Sequence, residues 1–446
     1  MNLVTRINSW LFFLFFLLLP TQLGKHIFMD FSYVNGVRID YLAPTLYLVD
    51  LIVIALVVVN WKVVLRSFAI AQDDKGAFRM TKSFGLVVLA LVGMNIVLAQ
   101  EPMVALYTTV RYVEMWMVFV MVGSRNKFGM TKEFGMTEVV RMTVALFIGA
   151  LVQFGLSIYQ ISAQQSAQGL FYWLGERAFS ISTPGIATIS LFDTIALRPY
   201  GTFSHPNSLG GFYALAYVFF LISQFKIPRR VEIMRYGLVM LSGFLVLMSF
   251  SKVAIGAILV VTLFYVLRIL KIDCWWCKWG RVFTLSIISL VFLSGKSDIV
   301  SLDKRVALAQ SSLHTIAQHP FFGTGLGNSL YSQSVMSQQL SYFFLQPVHN
   351  IFFLFMSEAG LVLSVVIAFI VWREIKGKKK AGILRFAQDD KGNQEDKRRV
   401  LLSTLAVIII TGSFDHYWLT LIQNQLLLAA ILGLGLRGRF TTTLSP

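Results

Sequence analysis

The sequence has few charged residues for its length. Only 14% of its 446 residues are charged, whereas 56% are hydrophobic. A chain this apolar exceeds what one soluble domain buries, and its apolar runs repeatedly reach the length of about 20 residues that crosses a bilayer as a helix. The composition therefore argues against a soluble enzyme and predicts an all-α polytopic membrane protein.

Cysteine is almost absent as well. Cys274 and Cys277 are the only two cysteines. Two thiol ligands fall short of a structural zinc site, and their loop is predicted to be cytosolic, where disulfides are rare. We expect neither metal nor redox chemistry from this pair.

Acidic residues are also scarce, with 22 Asp and Glu against 39 Lys and Arg, so the formal net charge is +17. Binding to nucleic acid would require a basic face on a soluble fold. Here the basic residues fall in short loops between apolar runs, as in KGKKK at 376–380. The charge therefore indicates orientation in a lipid bilayer, and no nucleic acid partner is expected.

The apolar runs predict about twelve membrane-spanning helices. They lie near residues 8–20, 42–60, 84–100, 103–123, 142–160, 208–224, 236–250, 253–270, 280–295, 350–372, 400–412 and 417–436. A single helix over 236–270 would be about 52 Å long against about 30 Å of hydrocarbon, so that stretch is predicted as two helices. The first run lacks a small-residue cleavage pattern and is predicted as a span rather than a signal peptide.

The positive-inside rule gives the orientation. Both termini are predicted to be cytosolic. The predicted parts are N-terminal helices over 1–160, a catalytic membrane core over 161–436 and a cytosolic tail over 437–446. The core includes a large external loop, 296–349, between the ninth and tenth predicted spans.

Three predicted cytosolic loops, at 68–85, 127–143 and 385–394, have similar sequences. They are short and polar, without the periodic apolar face of a structural repeat. We interpret them as copies of one mobile insert without a functional role.

The longest polar interval runs from 305 to 360, and it holds three of the six histidines. Its glycines at 323, 325 and 327 permit turns and close backbone approach. His314 and His319 are five apart, off one helical face, and no acidic residue lies between Arg305 and His349, so no metal site is predicted. His349 directly precedes an apolar span and is predicted on the first turn of that helix, at the membrane surface.

His349 is therefore the leading candidate for a general base, since neutral imidazole accepts a proton near neutral pH. His416 beside Asp415 is a rival. By the predicted topology all six histidines are external, which points to outward-facing chemistry, although chance remains an alternative: they are His26, His205, His314, His319, His349 and His416.

Three separated external cation sites suit a phosphate group at the membrane interface. Arg198 begins the stretch RPYGTFSHPN, Lys252 lies at the outer turn between two helices, and Arg305 follows Lys304 in the large loop. Arg198 and Lys252 also have a simpler interpretation, because at helix ends they can extend to lipid headgroups. Asn207 and the neighbouring serines are expected to cap the helix that follows.

Two further sites involve ionisable residues inside predicted spans. Arg111 and Glu114 are expected to pair with each other, since unpaired charge in a bilayer is costly. Glu358 falls on the helix face opposite His349 and is expected to pack or form hydrogen bonds rather than to catalyse.

Four motifs in order resemble the O-antigen ligase and O-antigen polymerase superfamily of bacterial membrane glycosyltransferases. They are RPYGTFSHPNSLGG, SFSKVAIG, HPFFGTGLGN and VHNIFFLFMSEAG, with FDHYWLTLIQNQLLLAAILGLGL as a supporting tail. The resemblance covers roughly residues 198 to 436. Lys252 stands where the family usually has arginine, which keeps the charge but loses the bidentate fork.

The resemblance implies transfer of a glycan from a polyprenyl (undecaprenyl) diphosphate carrier to a hydroxyl of a lipid, glycan or protein acceptor. The reaction would proceed on the external face of the cytoplasmic membrane without metal or cofactor. His349 would be the base and Arg198, Lys252 and Arg305 would bind the diphosphate. The supporting residues would be Asn207, Gly325, Asn350, Glu358, Asp415 and His416.

Several alternatives stay open at this point. Ligase, polysaccharide polymerase and protein O-oligosaccharyltransferase share these motifs. A transporter of lipid-linked glycans is the alternative from another functional class. Transporters are often built of two inverted halves with breaks in matching helices, and this sequence shows neither feature.

The predicted orientation has a direct test. A reporter enzyme fused after Lys380 should report a cytosolic position, because the run of lysines precedes it, and one inserted at Ser337 should report an external position. The measurement is the activity of compartment-specific reporters in whole cells. A cytosolic signal at Ser337 would contradict both the orientation and an external site around His349.

Overall fold

The computed structural model describes residues 3–69, 82–124, 132–191, 194–223, 227–269, 299–336, 345–381 and 389–437, with a few positions between 274 and 290. These residues are mostly helical. The first helices are α1 (Leu3–Leu18), α2 (Leu48–Val59), α3 (Trp61–Ala69), α4 (Lys82–Val97), α5 (Pro102–Ser124), α6 (Lys132–Ala163), α7 (Pro206–Ile222), α8 (Arg229–Met248) and α9 (Lys252–Phe264). They are followed by α10 (Ile299–Gln318), α11 (Ser329–Met336), α12 (Ile351–Ala381), α13 (Asp389–Gly412), α14 (Tyr417–Thr420) and α15 (Ile422–Arg437).

Three small antiparallel sheets of two strands each interrupt the helices. They pair β1 (Gly24–His26) with β4 (Thr45–Tyr47), β2 (Tyr33–Val34) with β3 (Val37–Arg38), and β5 (Thr188–Leu191) with β6 (Thr194–Leu197). The prediction of an all-α fold misses them, because strands of two to four residues are too short to show a period in the sequence. Five of these six strands lie in segments predicted to be external, whereas β4 lies within the predicted span 42–60, whose helix begins only at Leu48.

The helices have the composition of a membrane protein. Among the described residues, four apolar stretches are long enough to cross a bilayer by length and composition: Pro102–Gly123, Val139–Ala163, Arg229–Met248 and Ile351–Arg373. Shorter apolar helices are Leu3–Leu18, Leu48–Val59, Gly85–Val97, Pro206–Ile222, Lys252–Leu267 and Ile422–Gly435. The count of about twelve spans stays a prediction. Most of the predicted span 280–295 lies outside the described residues, as do residues 70–81, 127–131 and 385–388 of the three similar loops. The rest of these loops is helical, at the end of α3 and at the starts of α4, α6 and α13, where loops were predicted.

Helix α7 lies in the centre of the largest hydrophobic core and is buried along nearly its whole length. It packs against α8, α9, α13 and α15. Gly210 and Gly211 permit this approach, because a Cβ there would lie 2.5 Å from Ser249 Oγ and 2.3 Å from the Tyr417 ring. Two turns, one around 249–251 and one around 413–417, therefore meet at the N-terminal end of α7.

The predicted break within 236–270 is confirmed as a break between helices. α8 ends at Met248, α9 begins at Lys252, and Phe250 between them adopts a left-handed φ of 51°. Lys252 is exposed at this turn.

Helix α12, predicted as one continuous span, is broken at Gly360, whose φ of 70° and ψ of 173° are not helical. The glycine-rich loop of the HPFFGTGLGN motif is hydrogen-bonded to the broken backbone. Thr324 N–H donates to Ser357 O at 2.9 Å, Gly325 N–H to Glu358 O at 3.0 Å, and Leu361 N–H to Pro320 O at 2.8 Å. These bonds satisfy backbone groups that the helix break would leave without partners.

Gly325 was predicted as a supporting site residue, and the structure places it in this docked loop. Its φ is +97°, and a Cβ there would lie 2.3 Å from Ala99 Cβ. Both the backbone conformation and the contact therefore require glycine.

Gly325→Ala should lower the stability of the folded protein by on the order of 1–3 kcal/mol, because alanine is strained at this φ and collides with Ala99. Thermal unfolding of the detergent-solubilised protein measures this. Gly93→Ala on α4 is the matched control, since nothing lies within 4 Å of its built Cβ. A melting temperature for Gly325→Ala equal to that of the control would show that the loop is not docked as described.

Candidate active site

A cavity of about 900 Å³ opens beside His349, between segments predicted to be external and the ends of several predicted spans. Its walls come from residues 22–47, α5, 168–186, 200–208, the first turns of α10, 346–358 and 415–425. Four of the six histidines line it: His26, His205, His349 and His416. The other two are exposed outside the cavity, His314 on α10 and His319 just after the last residue of that helix.

His349 is positioned by the residue that follows it. Asn350 Oδ1 accepts from the N–H groups of Phe352 at 2.9 Å and Phe353 at 3.1 Å, and thus caps α12. Asn350 Nδ2 donates to Ser413 O at 3.1 Å, which ties the start of α12 to the turn before Asp415. His349 therefore lies just before the capping residue, Asn350. The sequence had predicted it on the first turn of the helix.

The imidazole of His349 faces a buried carboxylate. His349 Nδ1 lies 3.4 Å from Asp415 Oδ1, a distance that permits electrostatic contact but is long for a hydrogen bond. The second carboxylate oxygen, Oδ2, accepts from Asn207 Nδ2 at 2.8 Å, and Oδ1 also accepts from the backbone N–H of His416 at 2.8 Å. The carboxylate is thus held on both oxygens and orients the imidazole.

Arg198 lies behind Asn207 in the same network. Its Nη2 donates to Asn207 Oδ1 at 2.6 Å, and Nε and Nη2 donate to Ser249 O at 3.0 and 2.8 Å. A continuous chain of polar contacts therefore runs from Ser249 through Arg198, Asn207 and Asp415 to His349. It joins four segments that are far apart in sequence.

The start of α7 is capped differently from the prediction. Pro206 occupies the first turn as expected, but the cap is His205, whose Nδ1 accepts from Asn207 N–H at 3.1 Å. Asn207 and the serines are not the cap. The side chain of Asn207 is therefore available to bridge Arg198 and Asp415.

The charges of the site follow from burial and contact. Burial disfavours ionisation of Asp415, yet the contact with His349 and the charge of that imidazole hold the pKa of the carboxyl well below its usual range. Burial lowers the pKa of His416 to about 3, and burial together with the Arg198 charge lowers the pKa of His205 to about 3. At neutral pH the site therefore holds the ionised carboxylate of Asp415 and the neutral imidazoles of His205 and His416, beside His349.

His416, the rival base, has other contacts. Its Nδ1 lies 2.7 Å from Thr420 Oγ1, and its Nε2 is 4.0 Å from Asp415 Oδ1. Its ring centroid lies 5.1 Å from that of His349 and 5.7 Å from that of Tyr41. His349 has the closer approach to the carboxylate.

The same three side chains form a potential metal-binding set. The ligating atoms of His349, Asp415 and His416 lie within 4.8 Å of one another. Two imidazoles and a carboxylate are ligands that divalent transition metals accept. The sequence analysis missed the set because Asp415 and His416 are remote from His349 in the chain, and metal independence stays a prediction.

Of the three cations predicted to bind diphosphate, Arg305 lines the cavity and Arg198 and Lys252 are not among its lining residues. Arg305 Nη1 donates to Phe414 O at 3.1 Å, beside Asp415. Lys304 also lines the cavity. Arg177, which the sequence analysis overlooked, lines it as well and donates to Ser204 O at 3.2 Å. Its position in a long predicted external segment was the available signal.

Glu358 is buried and accepts from Ser329 Oγ at 2.8 Å, as expected of a hydrogen-bonding residue, yet it lines the same cavity as His349. The break of α12 comes only after Glu358, at Gly360. The predicted pair of Arg111 and Glu114 is present at 2.8 Å, and Asp50 of α2 joins it at 2.8 Å.

Searches of protein-family models and of curated protein sequences find no match to this chain. The resemblance to O-antigen ligases and polymerases therefore depends on the four motifs alone.

The lowered pKa of His205 predicts an acid-sensitive stability. The unfolded chain protonates this histidine near pH 6.5, whereas the folded protein does so only near pH 3, so the unfolded state binds more protons between these values. Unfolding free energy should fall by about 2 kcal/mol on this account as pH drops from 7 to 5. His205→Asn replaces the capping ring nitrogen with an amide oxygen that can also cap the helix, and it should remove that loss.

The measurement is denaturant unfolding of the solubilised protein at pH 7 and pH 5. His314→Asn is the control, because this exposed histidine should leave the pH dependence unchanged. Asp415 does not contribute in this window, since a depressed carboxyl pKa affects stability only near and below its unfolded value of about 3.9. An unchanged pH dependence in His205→Asn would show that His205 titrates normally in the fold.

Proposed function

We propose that this protein is a membrane glycosyltransferase that moves a glycan from a polyprenyl diphosphate carrier to a hydroxyl acceptor. The observation that supports it best is His349, held beside the buried carboxylate of Asp415 in a cavity that Arg305, Lys304 and Arg177 also line. A base next to cationic groups is what such a transfer requires. The four motifs add to this support.

The reaction is a single displacement. The acceptor oxygen attacks the anomeric carbon while Nε2 of His349 accepts its proton, and the bond from that carbon to the diphosphate oxygen breaks. The electron pair leaves with the diphosphate. Asp415 stabilises the imidazolium that forms, as the carboxylate of a catalytic triad does. Displacement without a covalent intermediate inverts the anomeric configuration.

The structure supports a changed assignment of the cations. Arg305 and Lys304 are assigned to the leaving diphosphate, where negative charge grows. Arg198 donates to Asn207 Oδ1 and Ser249 O, so it is assigned as a positioning residue for Asp415 rather than a phosphate ligand. Contact of Lys252 with the diphosphate remains an expectation from the resemblance alone.

The remaining parts of the proposal follow from orientation and resemblance. The protein would lie in the cytoplasmic membrane with cytosolic termini, and its cavity would face outward. Ligase, polymerase and protein-glycosylating activities all use this chemistry. Purified protein with an undecaprenyl diphosphate-linked oligosaccharide distinguishes them by product: a glycolipid, a longer lipid-linked chain or a glycoprotein.

His349→Ala should reduce transfer by about 10²- to 10⁴-fold while donor binding persists, because a general base acts mainly in the transition state. Arg198→Ala should lower kcat with little change in the donor KM, whereas Arg305→Ala should raise the donor KM. Steady-state kinetics of the purified protein in lipid nanodiscs, with donor binding measured separately, gives these values.

His314→Ala is the matched control and should retain normal turnover, since His314 is exposed outside the cavity. Near-normal turnover of His349→Ala together with loss in His416→Ala would move the base to His416. Chelation should leave the wild-type rate unchanged. Inactivation by chelator that a divalent metal reverses would contradict the metal-free mechanism and assign the set of His349, Asp415 and His416 to a metal.

A further inference from the structure

The N-terminal segment 22–47 forms part of the cavity wall, although it lies outside the region of the four motifs. Its apolar side chains pack against helices that belong to the site. Val34, Ile39 and Leu42 form a buried cluster with Val104 of α5 and Leu330 of α11. The segment is therefore packed against α5 and against α11, and α11 is part of the predicted external loop 296–349.

Two hydrogen bonds to backbone carbonyl groups hold this wall in place as well. The hydroxyl of Tyr331 on α11 donates to Phe31 O. Gln22 N–H donates to Leu174 O at 3.3 Å, and a Cβ on Gly175 would lie 2.4 Å from the backbone of Gln22. The N-terminal segment thus continues directly into the wall formed by residues 168–186.

Tyr41 of this wall contacts one of the histidines of the site. Its ring meets that of His416 edge to face, with centroids 5.7 Å apart and planes at 80°, and His416 in turn contacts His349. Tyr41 remains 42% exposed and lines the cavity together with Asp40. One imidazole therefore separates an accessible aromatic surface from the proposed base.

The chemistry of Tyr41 and Asp40 suits a sugar. The apolar C–H face of a pyranose packs on an aromatic ring, and its hydroxyls donate to a carboxylate in charge-assisted hydrogen bonds. Asp40 lies 3.5 Å from Arg38, with both side chains 60% exposed, and such surface pairs are weak, so a hydroxyl can replace this contact. A negative carboxylate repels phosphate, which disfavours this wall for the diphosphate of the donor.

We propose that Tyr41 and Asp40 form the acceptor subsite, which binds a sugar residue and presents its hydroxyl to His349. This inference rests on the proposed function and narrows it. The acceptor is then a carbohydrate, in a glycolipid or a glycan chain, rather than a serine or threonine of a protein. Specificity for the acceptor comes from a segment that the resemblance does not cover.

The test uses the full-length protein in nanodiscs with an undecaprenyl diphosphate-linked disaccharide as donor. The acceptor probes are an octyl-linked neutral tetrasaccharide and a serine-containing peptide. Tyr41→Ala should raise the KM for the tetrasaccharide about ten-fold and leave the donor KM unchanged, because only acceptor packing is lost. Tyr41→Phe should stay close to wild type, and Asp40→Asn should raise the acceptor KM alone.

Tyr33→Ala is the matched control, since Tyr33 is similarly exposed on the same segment but is not among the cavity-lining residues. It should leave both KM values unchanged. If Tyr41→Ala fails to fold, as its melting temperature would show, Asp40→Asn decides: a raised acceptor KM supports the subsite, and an unchanged one overturns it.

The outcomes separate the two proposals. An unchanged acceptor KM in folded Tyr41→Ala, or wild-type transfer to the peptide but not to the tetrasaccharide, overturns the acceptor subsite and leaves the proposed transferase function in place. Absence of wild-type transfer to every hydroxyl acceptor, with donor present, overturns both.

Discussion

The buried carboxylate of Asp415 is the constraint on which the site depends. A buried charge costs several kcal/mol unless it is paired and hydrogen-bonded. Asp415 meets this requirement through Asn207, the backbone N–H of His416 and the imidazole of His349. These partners belong to the start of α7, the turn before α14 and the start of α12, so all three must meet for the charge to be stable.

The packing of the core and the geometry of the site depend on the same residues. Gly210 and Gly211 let the side chain of Ser249 and the ring of Tyr417 come against α7. Ser249 O then accepts from Arg198, and Tyr417 follows the Asp415–His416 pair. A larger side chain at either glycine would move a turn that holds the polar network. Core and site therefore cannot vary independently.

Local features of the structure could be predicted from sequence, and long-range contacts could not. The length of the apolar runs predicts the helices. The cost of burying the charge of Lys252 in the bilayer predicts the break between α8 and α9. The contact between Asn207 and Asp415 spans 208 residues, and no spacing rule reports it. For the same reason Asp50 was missed as the third member of the Arg111 and Glu114 cluster. Gly360 was missed because helices tolerate glycine, and only the docked loop shows that this one breaks α12.

In the proposed mechanism, the position of Arg305 links donor binding to the orientation of His349. Its guanidinium donates to Phe414 O, one residue before Asp415, while Arg198 acts on the same carboxylate through Asn207. If Arg198 turned to bind phosphate, Asn207 would lose the group that orients its amide, and the carboxylate would lose a fixed partner. Arg305 can contact phosphate with its remaining donors while it still holds the 414 backbone. In the proposed mechanism, binding of the leaving group at Arg305 would therefore support the turn that positions His349, whereas binding at Arg198 would disrupt it.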